Sequence, residues 1–193
     1  MITGARCRVP ASRDGASTQP CAPGPASGSA EILPPMTHAD AERDLGYMRE
    51  ALKEAAQAFE EDEVPVGAVI VRGGRVVARA HNQVELLRDA TAHAEMIALT
   101  QASSEAGDWR LDGAALYVTK EPCPMCAGAI ALSRVARLVF GARDPKAGAA
   151  GSRMDILGSG CLNHTVEVEA GVEEGECGAL LKAFFKKQRA AAT

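Results

Sequence analysis

Two short runs, His93-Ala94-Glu95 and Pro122-Cys123-Pro124-Met125-Cys126, decide how the chain is read, because together they offer three metal-ligand side chains and a carboxylate left over. A structural zinc centre closes its tetrahedron with four protein ligands, whereas a hydrolytic one stops at three and keeps the fourth position for water. Here His93, Cys123 and Cys126 are the candidate ligands, and Glu95 is the acid beside them. Residues two apart on a helix point about 200° away from each other, at roughly 3.6 residues per turn. His93 and Glu95 therefore belong where a loop enters a helix, with Thr91 as the expected N-cap and Met96, Ile97 and Leu99 on the buried side. Cys123 and Cys126 are three apart and share a face of a first helical turn, where Pro122 and Pro124 are tolerated because the N–H groups there are spare. A helix start also favours thiolate over thiol, and zinc binds the thiolate.

Each run alone is weak. A lone Cys-x-x-Cys also serves as a redox pair, a lone His-Ala-Glu usually marks a helix surface, and a purely structural zinc is the third reading. The combination favours a catalytic zinc.

Working outward, Leu45, Met48, Leu52, Ala55 and Phe59 recur at helical spacing. Ala68 to Val71 and Val76 to Ala80 bracket Arg72-Gly73-Gly74-Arg75, a hairpin turn. After the His93 helix come a strand at Ala115 to Thr119, the Cys126 helix, strands at Arg137 to Phe140 and at Thr165 to Ala170, and a last helix from Glu174. This alternation predicts an α/β fold in three α/β/α layers, with a mixed five-stranded sheet whose first two strands are antiparallel and with helices on both faces.

With 193 residues, 47% hydrophobic and 24% charged, the chain can bury one sizeable core, expected over residues 36–193. No apolar stretch is long enough to span a membrane. Cys7, Cys21, Cys161 and Cys177 lack the paired spacing of a disulfide framework, and a reducing cytoplasm is the expected location. Residues 1–35, rich in Ala, Ser, Gly and Pro, are expected to form a disordered extension. Arg6, Arg8 and Arg13 leave a transit peptide open, and Met36 leaves a later start open.

His-x-Glu followed by Pro-Cys-x-x-Cys resembles the signature of the cytidine deaminase-like zinc deaminases, in which the Glu is a general acid and base and not a ligand. The runs Glu63-Val64-Pro65-Val66-Gly67-Ala68-Val69, Leu116-Tyr117-Val118-Thr119, Met125-Cys126-Ala127-Gly128-Ala129 and Val139-Phe140-Gly141-Ala142-Arg143-Asp144 are similar to those of bacterial tRNA-specific adenosine deaminases, in the same order. The resemblance runs from Met36 to the end. It implies a cytidine deaminase-like fold with the two zinc helices side by side, one Zn2+ per subunit on His93, Cys123 and Cys126, and Glu95 as the proton carrier. It further implies hydrolysis of the wobble adenosine of a tRNA anticodon stem-loop to inosine, by a homodimer. Asn82, Val66 and Ala94 would form the base pocket, and Asp144 would meet a ribose 2′-hydroxyl. Taken without the resemblance, Asn82 is as well read as a strand or turn cap. Two other classes stay open: a deaminase of guanine, cytosine or a nucleoside, and a zinc-stabilised binding module without activity.

The net charge of −4 is not that of a typical nucleic-acid binder, but basic residues cluster. Arg134, Arg137, Arg143, Lys146 and Arg153 share one segment with a single acid, and Lys182, Lys186, Lys187 and Arg189 crowd the last helix, whereas acids gather at Glu60-Glu61-Asp62-Glu63. Arg143, Lys146, Arg153, Lys186, Lys187 and Arg189 are the candidate RNA contacts, and solvated helix faces are the alternative. Phe184 and Phe185 read first as core, and His81 and His164 as structural histidines. Ala127, Ala129, Ile130 and Leu132 serve either a dimer interface or the core. Lys120 and Thr165 depart from the resemblance, each expected to lie away from the zinc set.

Overall fold

The computed structural model describes residues 38–191. The expectations for residues 1–35, including Cys7 and Cys21, lie outside them. The elements are α1 (His38–Glu60), β1 (Gly67–Arg72), β2 (Arg75–His81), α2 (Val84–Leu87), α3 (Ala94–Ala106), β3 (Ala115–Lys120), α4 (Pro124–Leu132), β4 (Arg137–Ala142), β5 (Glu167–Ala170) and α5 (Glu174–Ala191). The strands form one sheet in the order β2-β1-β3-β4-β5, antiparallel from β2 to β3 and parallel from β3 to β5.

Strand residues alternate between two cores, as the period of two requires. Ala68, Ile70, Leu116, Val118, Leu138 and Phe140 face α3 and α4, where Ala98, Leu99, Ala127 and Ile130 meet them. Val69, Val71, Tyr117 and Val139 face the other way, onto Met48 and Ala51 of α1 and Cys177 of α5. Covered on both sides, the central strands are apolar almost throughout. The hairpin turn holds Gly73 at φ 57° and Gly74 at φ 75°, the positive pair that a two-residue type I′ connection demands.

The buried stripe of α1 keeps Met48 and Ala55 of the apolar spacing in the sequence, but Asp44, Ala51 and Ala58 are buried in place of the expected Leu45, Leu52 and Phe59, and those three flank the stripe half-exposed. Small residues win this position because the helix backbone comes down onto β1. A Cβ added to Gly67 would lie 2.0 Å from the Ala51 carbonyl oxygen and 2.5 Å from the Ala55 nitrogen. Gly67→Ala is therefore expected to cost at least about 1–3 kcal/mol, as forced overpacking does. Urea unfolding checks this, and an unchanged midpoint would mean that α1 can lift away from the sheet.

Asp44 is the other unexpected member of the stripe. Its carboxylate accepts two hydrogen bonds from the Arg137 guanidinium, at 2.8 and 3.0 Å, and one from the Tyr117 hydroxyl at 2.8 Å. Arg137 is thereby a strut between α1 and β4 rather than part of an open basic segment. In α4, Ala127 and Ile130 are core, and Leu132 is left exposed.

Candidate active site

The N-terminus of β1 and the C-termini of β2, β3 and β4 meet at one edge of the sheet, and the site is built there. Ligands gather at this end of an α/β sheet because the loops diverge where strands stop. His93 is the N-cap of α3, in place of Thr91, whose backbone N–H and hydroxyl both donate to Asp89. Cys123 is the N-cap of α4, with Pro124 in its first turn. Neither side chain makes a capping hydrogen bond at the start of its helix. Both caps are extended residues at helix starts, so the imidazole and the sulfur project beyond the two helix ends toward each other.

His93 Nδ1 lies 3.6 Å from Cys123 Sγ and 3.4 Å from Cys126 Sγ, and the two sulfurs are 3.6 Å apart. A tetrahedral zinc with bonds of about 2.3 Å to sulfur and about 2.0–2.1 Å to nitrogen has edges of about 3.5–3.8 Å, so the three atoms stand where zinc ligands should. No other group of three or more His, Cys, Asp or Glu side chains among the described residues is arranged to hold a metal. The Cys123 thiol is held down at about 3, first by its hydrogen bond with Cys126 and further by His93, against the effect of burial. His93 is raised, first by its bond to Cys123.

Glu95 follows in the first turn of α3, 4% exposed, and lines the same cavity. Burial pushes its carboxyl upward. The cavity measures about 540 Å³, and is walled by Val66, Asn82, His93, Glu95, Lys120 and Asp144 among others. Ala94, fully buried between ligand and acid, turns its methyl into the core. His81 is held between Glu54 and Glu61 and His164 on the Val135 carbonyl, both away from the metal ligands.

Three further residues belong to the site. Glu63 reads in the sequence as one of a run of surface acids, yet it is 1% exposed and accepts hydrogen bonds from Asn82 Nδ2 and the Leu86 amide. Its place directly before the β1 segment is the signal that separates it from its solvated neighbours. Lys120, expected away from the zinc set, lines the cavity and donates to the Asp144 carboxylate. Burial would raise Asp144, but the bond from Lys120, with help from the amides of Lys146 and Ala147, holds it below its usual range. Glu121, 1% exposed, accepts the amides of Asp144, Ala150 and Ser152 and so ties the following loop to the cysteine helix.

Beside the cavity runs a groove of about 380 Å³ lined by Lys146, Leu181, Lys182, Phe185 and Arg189. Phe184 is buried edge-on against Phe59, while Phe185 stands 46% exposed where cavity and groove meet. Lys187 is turned the other way, to Asp62 at 2.6 Å and over the Phe59 ring. Arg143, Arg153 and Lys186 are exposed outside the groove wall.

The profile of the MafB19-like deaminase family matches residues 42–189. The tRNA-specific adenosine deaminase of Bacillus subtilis is 54% identical over 147 residues, 76% of this chain and 91% of that protein. The tRNA-specific adenosine deaminase of Agrobacterium fabrum is 46% identical over 143 residues, 74% of this chain and 94% of that protein. Among solved structures, a tRNA:A34 deaminase studied for A-to-I editing at the wobble position superposes with a TM-score of 0.68 at 46% identity, covering 70% of this chain and 98% of that one. The guanine deaminase of Nitrosomonas europaea gives 0.64 at 25% identity, over 72% of this chain and 83% of its own. The five-stranded mixed sheet with helices on both faces is thus the cytidine deaminase-like fold these structures share, and the chain belongs to the MafB19-like deaminase family.

Proposed function

We propose that this chain hydrolyses the wobble adenosine of a tRNA anticodon to inosine, with one zinc ion on His93, Cys123 and Cys126. The observation that carries the chemistry is the set of three donor atoms at zinc-ligand separations, with Glu95 buried beside them in one cavity. The naming of the substrate follows the tRNA-specific deaminases, which are much more similar in sequence than the guanine deaminase is.

Zinc in such a site supplies water that ionises near pH 7 instead of about 15.7. With the ion held by His93, Cys123 and Cys126, Glu95 would take the proton released when water adds to C6 of adenine and would deliver it to the neighbouring ring nitrogen. It then helps protonate the departing amino group, so that adenosine and water become inosine and ammonia. A buried carboxyl raised by desolvation is suited to carrying a proton both ways. Val66 presses on the base, and Asn82 offers it an amide. The cavity opens past Phe185, on which a neighbouring base can stack, toward Lys146 and Lys182, which suit phosphates. We read the active form as a cytoplasmic homodimer. Leu132, 69% exposed on α4, supports an apolar interface, and sedimentation of the purified protein checks it.

Unmodified anticodon stem-loop RNA, assayed for inosine beside free adenosine, guanine and cytosine, tests the reading. Turnover of guanine alone would replace it with a small-molecule deaminase. Lys146→Ala with Lys182→Ala should weaken RNA affinity on the order of tenfold at physiological salt and reduce the salt slope by about 1.4, as two lost phosphate contacts on a single strand would. The single-turnover rate at saturating RNA should hold. An unchanged slope would make the groove a solvated surface.

A further inference from the structure

We propose that Glu63 is a positioning residue that fixes which end of the Asn82 amide faces the substrate base. This rests on the reading of the cavity as a purine site. An amide presents an acceptor at one end and donors at the other, and the two ends have nearly the same shape, so packing alone does not choose between them. Glu63 chooses by chemistry. An ionised carboxylate only accepts; its Oε2 takes a hydrogen from Asn82 Nδ2 at 2.9 Å while its Oε1 takes the Leu86 amide at 2.7 Å. Asn82 is 6% exposed and Glu63 1%, so water cannot readily stand in for either bond. With Nδ2 committed to Glu63, the Asn82 oxygen is the acceptor left for whatever fills the cavity that both residues line. The backbone of Asn82 is also anchored, its N–H donating to the Val66 carbonyl at 3.0 Å.

The arrangement makes a specific claim about Glu63→Gln. The Leu86 amide still needs an acceptor, so the new side chain gives it the oxygen and turns its NH2 toward residue 82. Asn82 must then flip to offer its own oxygen, and the cavity receives donors where it had an acceptor. Glu63→Gln is expected to lower kcat/KM at least tenfold while zinc content is unchanged. Asn82→Ala should show a similar loss, and the double variant should lose no more than about twofold beyond Asn82→Ala alone, because the first residue acts through the second. Losses that multiply would mean that Glu63 only supports α2, and an unaffected Glu63→Gln would overturn the proposal.

A second measurement does not depend on activity or on the folding of Glu63→Gln. The chain has two asparagines, Asn82 and Asn163. In wild-type protein labelled with 15N-asparagine, one side-chain amide proton of Asn82, identified by its absence in Asn82→Ala, should be shifted downfield and slow to exchange. Two fast-exchanging protons at the shifts of a free asparagine side chain would remove the lock. Should wild-type protein deaminate guanine and not the stem-loop, the tRNA reading fails, and the same cycle run on guanine still decides the role of Glu63.

Discussion

Glu95→Ala is expected to keep its zinc and its fold while turnover falls by about 10²–10⁴-fold, the worth of a positioned proton carrier. The three donor atoms of the metal site belong to other residues, so metal analysis should return the wild-type zinc content. The sign of the stability change follows from burial. Because desolvation raises the Glu95 carboxyl in the folded state, ionising it opposes folding above the unfolded pKa. Compared as metal-free proteins, the alanine variant should therefore be at least as stable as wild type at pH 7, an advantage that disappears as the pH falls through the unfolded pKa. A variant that loses its zinc would make Glu95 a ligand, and one that keeps full turnover would move the proton transfer to another group.

Asp44→Ala should produce the largest loss of stability, about 3–5 kcal/mol, because it strands the Arg137 guanidinium with its main partner removed. For a domain of this size that is a fall in Tm on the order of 10 °C. Arg137 is raised above its ordinary value by the bonds to Asp44, which overcome burial, so it will not shed its charge to relieve the defect. Asp44→Asn keeps an acceptor for one donor and should lose less. Asp44 packs on the face of the sheet opposite α3 and α4, so kcat measured well below the transition should stay near wild type. A thermal midpoint within 2 °C of wild type, a margin of about 1 kcal/mol or less, would show the ion pair to be expendable.

Much of this architecture is legible in the sequence because strands covered on both faces read as short continuous apolar runs, and because Gly73-Gly74 can be little else than a tight turn. The candidate metal ligands can be picked out for a different reason: the chemistry proposed for them needs particular residue types at particular spacings, and the fold brings His93, Cys123 and Cys126 together. What escapes is set by the third dimension. The face of α1 is chosen by how near Gly67 lets the helix come, so Ala51 and Ala58 take the places expected of Leu52 and Phe59 in the stripe. Glu63, Lys120 and Glu121 are charged residues, which a sequence reading assigns to water, and only the fold reveals that donors and partners surround them. The four-residue α2, which carries the exposed Leu86 and Leu87, has no periodicity long enough to detect.

Glu121 has a consequence for how substrate is met. One carboxylate gathers three amides spread over the segment from Asp144 to Ser152, and it stands two residues before Cys123. Burial pushes its carboxyl up, but the bonds from Ser152, Asp144 and Ala150 outweigh it and hold the group ionised over the whole neutral range. The rim of the cavity and the cysteine helix thus form one stiff jaw. An RNA loop arriving at a stiff jaw must do the bending itself: the deformation energy of recognition falls on the nucleic acid, and loops already splayed open are selected over those that must be pulled apart.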